Sequence, residues 1–154
     1  MPVTTSPSVN HWPDSSCARA FWGQQEIPPY RRLLADTIAW LDPRPGERWL
    51  DLGCGCGQLT RGLWIKSQSS LGHVVASDCA AVNELAIQKL RTSLQPRPTE
   101  EQMPFVQLDF SNGLSPWNDE SFDGVVSGLA IQYAECWADC PTLGSRCAGR
   151  VCLS

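Results

Sequence analysis

The chain has 154 residues, a formal net charge of −4 and a sequence pI near 5.1, which suits one domain with a sizeable core. This acidic balance gives no basic face of the kind that binds nucleic acid. The sequence starts without the basic and apolar regions of a signal peptide, and it has no apolar run near the roughly twenty residues of a membrane span. We therefore expect a cytoplasmic protein that has neither a nucleic-acid partner nor a membrane span.

The first 28 residues are predicted to form a flexible N-terminal arm. Their first part is rich in Pro, Ser, Thr and Asn and lacks an apolar period. Phe21 and Trp22 are interpreted either as packing residues or as residues that lie over a ligand. A Pro-Pro pair then begins a helix predicted over 28–41, where apolar residues recur at intervals of three and four.

Strands and helices are predicted to alternate along the rest of the chain. Short apolar segments predict strands at 47–52, 73–78, 103–110 and 121–127, and helical periods occupy 58–66 and 80–93. Parallel βαβ units with right-handed crossovers follow from this alternation. The fold class is therefore predicted to be α/β, as half of a doubly wound sheet. A further helix is predicted to begin at Gly128.

The turn after the first strand is predicted to bind a small ligand. Asp51 lies in that strand, and three alternating glycines follow it, Gly53, Gly55 and Gly57. Glycine permits positive φ and removes the Cβ atoms that would keep a ligand from the backbone, and the helix behind the turn offers unpaired N–H groups. An acid in an apolar strand is costly unless paired. We therefore favour a ligand-binding role for Asp51 over capping of the turn.

Spacing separates the other ligands that a glycine turn could bind. A P-loop is excluded because Gln58 and Leu59 follow the last glycine, where a Lys-Ser/Thr pair is required. A dinucleotide fold places its third glycine three positions after the second, so NAD fits poorly but remains open. Cys54 and Cys56 lack the second cysteine pair of a zinc site, so no metal is predicted. The eight cysteines are expected to be reduced thiols.

The segment 50–57, Leu-Asp-Leu-Gly-Cys-Gly-Cys-Gly, resembles motif I of the class I S-adenosylmethionine-dependent methyltransferases. Later segments agree with this resemblance in order: an acid ends the second strand, Asp-Phe ends the third, and Phe-Asp-Gly-Val lies in the fourth. The segment 127–133 resembles the helix entry of the type 11 branch, which acts on small molecules and includes quinone-biosynthesis methyltransferases. Four ordered motifs are more specific than one glycine turn.

The resemblance implies a Rossmann-like three-layer sandwich with strand order 3-2-1-4 and S-adenosylmethionine as the cofactor. It assigns Asp78 to the ribose hydroxyls and Asp109 with Phe110 to the adenine. Asp51 and Gly53 would accept hydrogen bonds from the cofactor's ammonium group. The complete predicted binding set is Asp51, Gly53, Cys54, Gly55, Gly57, Asp78, Cys79, Asp109, Phe110 and Ser127.

The function implied is methyl transfer to a small-molecule acceptor. Two alternatives remain: a non-catalytic S-adenosylmethionine-binding remnant or interaction module, and an NAD-binding Rossmann domain. No catalytic base is predicted. His11, Tyr30 and Tyr133 could reach the site, but a surface or packing role is the more frequent outcome for lone His and Tyr residues.

The resemblance covers residues 29–137, which are predicted to form a partial methyltransferase domain. Residues 138–154 have no apolar period and are predicted to be an irregular tail. The C-terminal strands of the domain are therefore expected to be missing. The fourth strand would then have an open edge that invites a partner strand.

Overall fold

The structure of the chain is a computed structural model that describes residues 11–128 and 147–153. Its α-helices are α1 (Ser15–Ala20), α2 (Pro28–Leu41), α3 (Gln58–Lys66) and α4 (Asn83–Ser93). Its strands are β1 (Arg48–Leu52), β2 (His73–Asp78), β3 (Phe105–Gln107), β4 (Phe122–Ser127) and β5 (Cys147–Leu153). Short 3₁₀ helices occupy Phe21–Glu26 and Phe110–Asn112.

The strands form one sheet in the order β3-β2-β1-β4-β5, and every neighbouring pair is parallel. The predicted α/β class and the order 3-2-1-4 are therefore confirmed. β1 lies at the centre, in register with β2 from Arg48 opposite His73 to Leu52 opposite Ser77. The carboxyl ends of the parallel strands consequently meet at one edge of the sheet, where open α/β sheets bind ligands.

The two faces of β1 pack against different halves of the core. Trp49 belongs to a cluster with Leu63 and Trp64 of α3, whereas Leu50 and Leu52 belong to a second cluster on the opposite face. Because side chains alternate along a strand, the residue between Leu50 and Leu52 points towards the α3 face. That residue is Asp51, so the strand period itself directs a carboxylate to the helix.

The described β3 is shorter than the predicted strand 103–110. Val74 and Ala76 still donate backbone bonds to Gln102 (2.8 Å) and Pro104 (3.0 Å), but Pro104 has no N–H to return to the ladder. At the other end, Asp109 begins a 3₁₀ helix by accepting a bond from Ser111 N. Pairing and capping therefore limit the strand to three residues.

The expectation that the sheet stops at β4 is wrong. Residues 147–153, predicted to belong to an irregular tail, form β5 and pair with β4 as far as Ser127 opposite Leu153. The β4 edge that was predicted to be open to a partner strand is therefore covered within the chain. A Gly-Arg pair interrupts the apolar pattern of this segment. For this reason the pattern did not predict a strand here. The predicted helix after Gly128 and residues 138–146 lie outside the described residues.

The predicted flexible arm requires a similar correction for residues 11–28, which are mainly helical. Asp14 accepts hydrogen bonds from the backbone N–H groups of Ser16 (2.9 Å) and Cys17 (3.1 Å) and so caps α1. Trp22 Nε1 donates to Asn83 Oδ1 of α4 at 2.9 Å, which ties this segment to the domain. No helix in the described part of the chain is long and apolar enough to cross a membrane.

A close contact between β4 and β1 gives a prediction for stability. A Cβ at Gly124 would overlap the six-membered ring of Trp49, whose side chain is fully buried. Gly124→Ala is therefore expected to lower the free energy of unfolding by about 1–3 kcal/mol, the usual cost of overpacking. Urea denaturation followed by circular dichroism measures this loss.

The matched control is Gly23→Ala, because a Cβ at Gly23 meets no atom within 4 Å. This variant is expected to be neutral or slightly stabilised, since alanine has a smaller unfolded-state entropy than glycine. Equal stability of the two variants would contradict the packing of β1 against β4.

Candidate functional site

A cleft of about 1090 Å³, part of it open to solvent, lies at the carboxyl ends of the central strands. Its floor comes from the glycine turn after β1 and from the residues that follow β2 and β3. The N-terminal segment also lines the cleft, through Trp12, Ala18, Phe21, Gln24 and Tyr30. The site therefore lies between the strand ends and the N-terminal helical segment.

The glycine turn is shaped by left-handed backbone at all three glycines, with φ of 68° at Gly53, 54° at Gly55 and 85° at Gly57. Cys54 N donates to Ser77 O at 2.9 Å, which anchors the turn to β2. A Cβ at Gly55 would meet no protein atom within 4 Å. The turn consequently presents bare backbone to the cleft, as predicted for a ligand cradle.

Asp51 binds the beginning of α3 with one oxygen and leaves the other without a partner. Its Oδ2 accepts hydrogen bonds from Thr60 N (3.0 Å) and Thr60 Oγ1 (2.7 Å). Its Oδ1 is buried and has no hydrogen-bond partner in the described chain. The pKa of Asp51 is raised to about 7, mainly by burial and to a smaller extent by the charge of Asp78. The two hydrogen bonds from Thr60 act in the opposite direction and lower this pKa.

The arrangement of Asp51 combines the two interpretations of its role. Capping, which was the alternative, is present at Oδ2. The buried Oδ1 is the unsatisfied acceptor that a ligand donor would complete, because leaving a buried acceptor unpaired costs roughly 1–3 kcal/mol. Asp51 also lines the cleft. Its carboxylate can therefore stabilise the fold and bind a donor at the same time.

Asp78 links the glycine turn to the connection between β2 and α4. Its Oδ2 accepts from Gly55 N and its Oδ1 from Ala80 N, both at 2.9 Å. Each carboxylate oxygen retains a lone pair, so Asp78 can still accept two further bonds from a diol. The next residue, Cys79, has its pKa raised to about 11 by burial and by the charges of Asp78 and Asp109, so its thiol stays protonated at neutral pH.

Asp109 and Phe110 follow β3 and complete the floor. Asp109 Oδ1 accepts from Ser111 N at 3.0 Å, which turns the chain into the 3₁₀ helix and places Phe110 and Ser111 at the cleft. Successive strands therefore each end in a carboxylate that both stabilises a turn and lines the same cavity.

Most of the predicted binding set lines the cleft. The residues found there are Asp51, Gly53, Cys54, Gly55, Asp78, Cys79, Asp109 and Phe110. Gly57 and Ser127 are not among the lining residues. A Cβ at Gly57 would lie 2.6 Å from Ile87 Cδ1, so this glycine allows the helix to approach α4. Ser127 is buried and its hydroxyl donates to Leu52 O at 2.8 Å, which braces β4 against β1.

Sequence reasoning missed several lining residues. Phe21 and Tyr30 were considered without being assigned. The lining residues that were not predicted to bind are Trp12, Ala18, Gln24, Cys56, Gln58, Leu59, Asn83, Ser111 and Gly128. Two of these residues could have been predicted from their place in the sequence. Gln58 directly follows the last glycine of the turn, and Ser111 directly follows Phe110. His11 is not among the lining residues, and Tyr133 lies outside the described residues.

The cysteines of the turn are thiols in the structure. Burial raises the pKa of Cys54 well above its usual value and also raises that of Cys56. Gln58 Nε2 donates to Cys56 Sγ at 3.2 Å. Among residues 11–128 and 147–153, no group of three or more His, Cys, Asp or Glu side chains is arranged to hold a metal ion.

Comparison with known protein families identifies the domain. Residues 50–148 match the family described as "Methyltransferase domain", type 11. The chain belongs to this methyltransferase family. Comparison with curated protein sequences gave no match.

Solved structures share the fold of this methyltransferase domain at low sequence identity. A Methanococcus maripaludis protein described as a candidate S-adenosyl-L-methionine-dependent methyltransferase superposes with a TM-score of 0.69 at 18% identity, over 90% of this chain and 62% of that one. YcgJ from Bacillus subtilis superposes with a TM-score of 0.55 at 18% identity, over 68% and 41% of the two chains. YjhP from E. coli gives 0.55 at 18% identity, over 73% and 42%. The chain thus spans 41–62% of the length of these three proteins.

The raised pKa of Asp51 predicts how stability depends on pH. Between the unfolded pKa near 3.8 and the folded pKa of about 7, the folded state binds more protons than the unfolded state, so stability falls as pH rises. Asp51→Asn removes this titration. Relative to the variant, the wild type is expected to lose on the order of 2 kcal/mol between pH 5 and pH 8, measured by urea denaturation without ligand.

Comparing the two proteins at each pH cancels the other titrating groups. The control is Asp36→Asn, which changes an exposed carboxylate on α2 and is expected to follow the wild type at every pH. If the wild type and Asp51→Asn ran parallel from pH 5 to pH 8, the assignment of a near-neutral pKa to Asp51 would be wrong.

Proposed function

We propose that the chain binds S-adenosylmethionine in this cleft and transfers its methyl group to a small-molecule acceptor. The charge of the cleft carries the proposal: Asp51, Asp78 and Asp109 line it, and no Lys, Arg or His of the described chain does. The cofactor has two cationic centres, a sulfonium and an ammonium group, which carboxylates attract at short range. Membership of the methyltransferase family supports the same reaction.

The residues at the end of β1 fit the amino end of this cofactor. Asp51 Oδ1 is a buried acceptor without a partner, and an ammonium group has three donors and no acceptor. The carbonyl of Gly53, beside it in the turn, is a second acceptor for the same group. In this proposal Asp51 completes its hydrogen bonding only when the ligand is present.

The residues after β2 and β3 fit the nucleoside. Asp78 has lone pairs left for a ribose diol after its bonds to Gly55 N and Ala80 N. The bare backbone of Gly55 leaves room for the sugar beside it. Asp109 and Phe110 offer an acceptor and an aromatic face for adenine at the next strand end.

The cofactor supplies an activated methyl group when it is bound, and the chain supplies alignment and a site from which water is excluded. Trp12 and Phe21, whose ring centroids lie 4.7 Å apart, add apolar surface to the lining of the cleft. Burial raises the pKa of Tyr30 with help from the charge of Asp51, so its phenol remains protonated at neutral pH. Tyr30 is therefore assigned as a hydrogen-bond donor and not as a base.

The same geometry disfavours the NAD alternative. Dinucleotide folds place a diphosphate at the helix N-terminus after the glycine turn. Here the Asp51 carboxylate takes the N–H of Thr60, in the first turn of α3, so this N–H is not available to a diphosphate. A diphosphate would also lack a counter-ion among the described lining residues.

We also propose a catalytic role and a cytoplasmic location for the chain. Methyl transfer is proposed over a purely binding role because residues 50–148 match a methyltransferase family. A cytoplasmic location is proposed because Cys17, Cys54, Cys56 and Cys79 are free thiols, the form that the cytosol maintains.

Titration calorimetry tests the cofactor assignment. The protein is expected to bind S-adenosylmethionine and S-adenosylhomocysteine, and Asp78→Ala is expected to weaken both by about 10- to 100-fold, the worth of hydrogen bonds to a charged group. Asp78→Asn keeps one acceptor oxygen and serves as a milder variant if alanine disturbs the turn. Asp36→Ala, on the surface of α2, is the control and should bind like the wild type.

The outcomes separate the alternatives. Tighter binding of NAD than of S-adenosylhomocysteine would overturn the proposal. Binding of the cofactor with no methyl transfer to any acceptor in a screen of radiolabelled donor would favour the non-catalytic alternative.

The Asp51 carboxylate also predicts a pH dependence of binding. A ligand ammonium pairs with the ionised form, and this form is populated only as pH rises through the pKa of about 7. The affinity for S-adenosylhomocysteine is therefore expected to increase about tenfold from pH 6 to pH 8. Asp51→Asn should bind more weakly and with little dependence on pH. A wild-type affinity that is constant over this range would contradict the pairing of Asp51 with the ligand ammonium.

A further inference from the structure

The cleft has two walls of different chemistry. The strand-end wall carries the three carboxylates Asp51, Asp78 and Asp109. The N-terminal segment, residues 12–30, contributes Trp12, Phe21 and Tyr30 with Ala18 and Gln24, and none of these lining side chains is charged. We call this second surface the aromatic wall. The cofactor proposed above accounts for the strand-end wall and leaves the aromatic wall to the acceptor.

We propose that the methyl acceptor is a small amine that enters as a cation and lies between the aromatic wall and the carboxylates at the strand ends. This inference rests on the proposed function, and it names the class of substrate. It follows from the charge that remains in the cleft after the cofactor is bound, and from the rings that face that charge.

The cleft stays negative when the cofactor is in place. S-adenosylmethionine carries a sulfonium, an ammonium and a carboxylate, for a net charge of plus one. When Asp51 is ionised by pairing with the ammonium of the cofactor, the three carboxylates leave the described lining negative by two charges. Charges a few ångströms apart interact by several kcal/mol at the effective dielectric of a partly buried site, about 4 kcal/mol at 4 Å. An acceptor with a carboxylate or phosphate is disfavoured by this field, and a cation is favoured.

The aromatic wall adds a second preference for a cation. The rings of Trp12 and Phe21, which both line the cleft, pack at 4.7 Å between centroids with 55° between their planes. The faces of aromatic rings attract cations, Trp most strongly. Arg19 already lies over the Trp22 ring at 5.2 Å, on a different ring from those that line the cleft.

The position of the aromatic wall is fixed by a hydrogen bond to the domain. Trp22 Nε1 donates to Asn83 Oδ1 at 2.9 Å, and Asn83 is buried at the start of α4. Trp22 immediately follows Phe21, so this bond holds the ring of Phe21 at the cleft. The acceptor surface is therefore part of the folded domain.

An amine also fits the absence of a histidine from the described lining. A bound ammonium becomes a nucleophile by giving one proton to solvent at the open side of the cleft, whereas an alcohol or phenol acceptor needs a positioned base to remove its proton. Tyr30 cannot supply that base, because its phenol is protonated at neutral pH.

Three small molecules that each contain one benzene ring test the preference of the cleft for a cation. Benzylamine, benzyl alcohol and benzoate are cationic, neutral and anionic at pH 7.5 and have nearly the same size. Each is titrated into the protein saturated with S-adenosylhomocysteine. Benzylamine is expected to bind at least fivefold more tightly than benzyl alcohol, and benzoate is expected to show no saturable binding.

A pair of tryptophan variants tests the aromatic wall. Trp12→Leu removes a lining ring and is expected to weaken benzylamine at least threefold while it leaves the affinity for S-adenosylhomocysteine unchanged. Trp40→Leu is the matched control, because Trp40 lies on α2 with 68% of its surface exposed and does not line the cleft. Phe21→Leu repeats the test on the neighbouring ring in case Trp12→Leu lowers stability.

The results distinguish this inference from the proposed function. If S-adenosylhomocysteine binds and benzylamine does not exceed benzyl alcohol or benzoate, the amine inference is overturned and the cofactor assignment stands. If S-adenosylhomocysteine does not bind, both fall. If Trp12→Leu and Phe21→Leu leave benzylamine binding as strong as Trp40→Leu does, the aromatic wall does not hold the acceptor.

Discussion

The bond between Asp51 and Thr60 is the constraint on which the site depends. It fixes a buried carboxylate of the central strand to the first turn of α3, with Oδ2 at 3.0 Å from Thr60 N and 2.7 Å from Thr60 Oγ1. The strand and the helix must therefore approach closely, and the chain between them has to reverse direction within five residues. Left-handed backbone at Gly53, Gly55 and Gly57 permits this. The shape of the glycine turn therefore follows from the hydrogen bonds that Asp51 accepts from Thr60.

Asp78 supplies the same kind of constraint one strand away. Its two oxygens take the N–H groups of Gly55 and Ala80, so the glycine turn is held from β2 as well as from α3. Parallel strands bring these carboxylates to one edge because each crossover returns the chain to the same starting edge. The acidity of the cleft is thus a result of the topology combined with turn capping, and it exists before any ligand is considered.

Local patterns sufficed to predict β1, α3 and β2, together with Gly53, Cys54 and Gly55, which line the cleft. Apolar runs, alternating glycines and helical periods are short-range signals, and here they agree with the packing. Longer-range features were not predictable. β5 interrupts its apolar pattern with Gly149 and Arg150, and its place is determined by pairing with β4 across some twenty intervening residues. The aromatic wall depends on Trp22 reaching Asn83, 61 positions away, which no local period encodes.

Asp51 and Asp78 each accept backbone hydrogen bonds and also line the cleft, so a substitution at either position can affect both the turn and the ligand. A carboxylate that caps backbone N–H groups cannot be removed without disturbing the turn, so a loss of ligand affinity on truncation to alanine does not by itself show contact with a ligand. An asparagine at position 51 keeps an acceptor for Thr60 and removes only the charge. A cationic ligand responds to that change, whereas the turn largely does not, because capping bonds need an oxygen and not an ion. The effect of the Asp51 charge on binding can therefore be measured separately from its effect on the shape of the turn. Oδ1 of Asp51, which has no hydrogen-bond partner in the described chain, is the atom through which a ligand would respond to that charge.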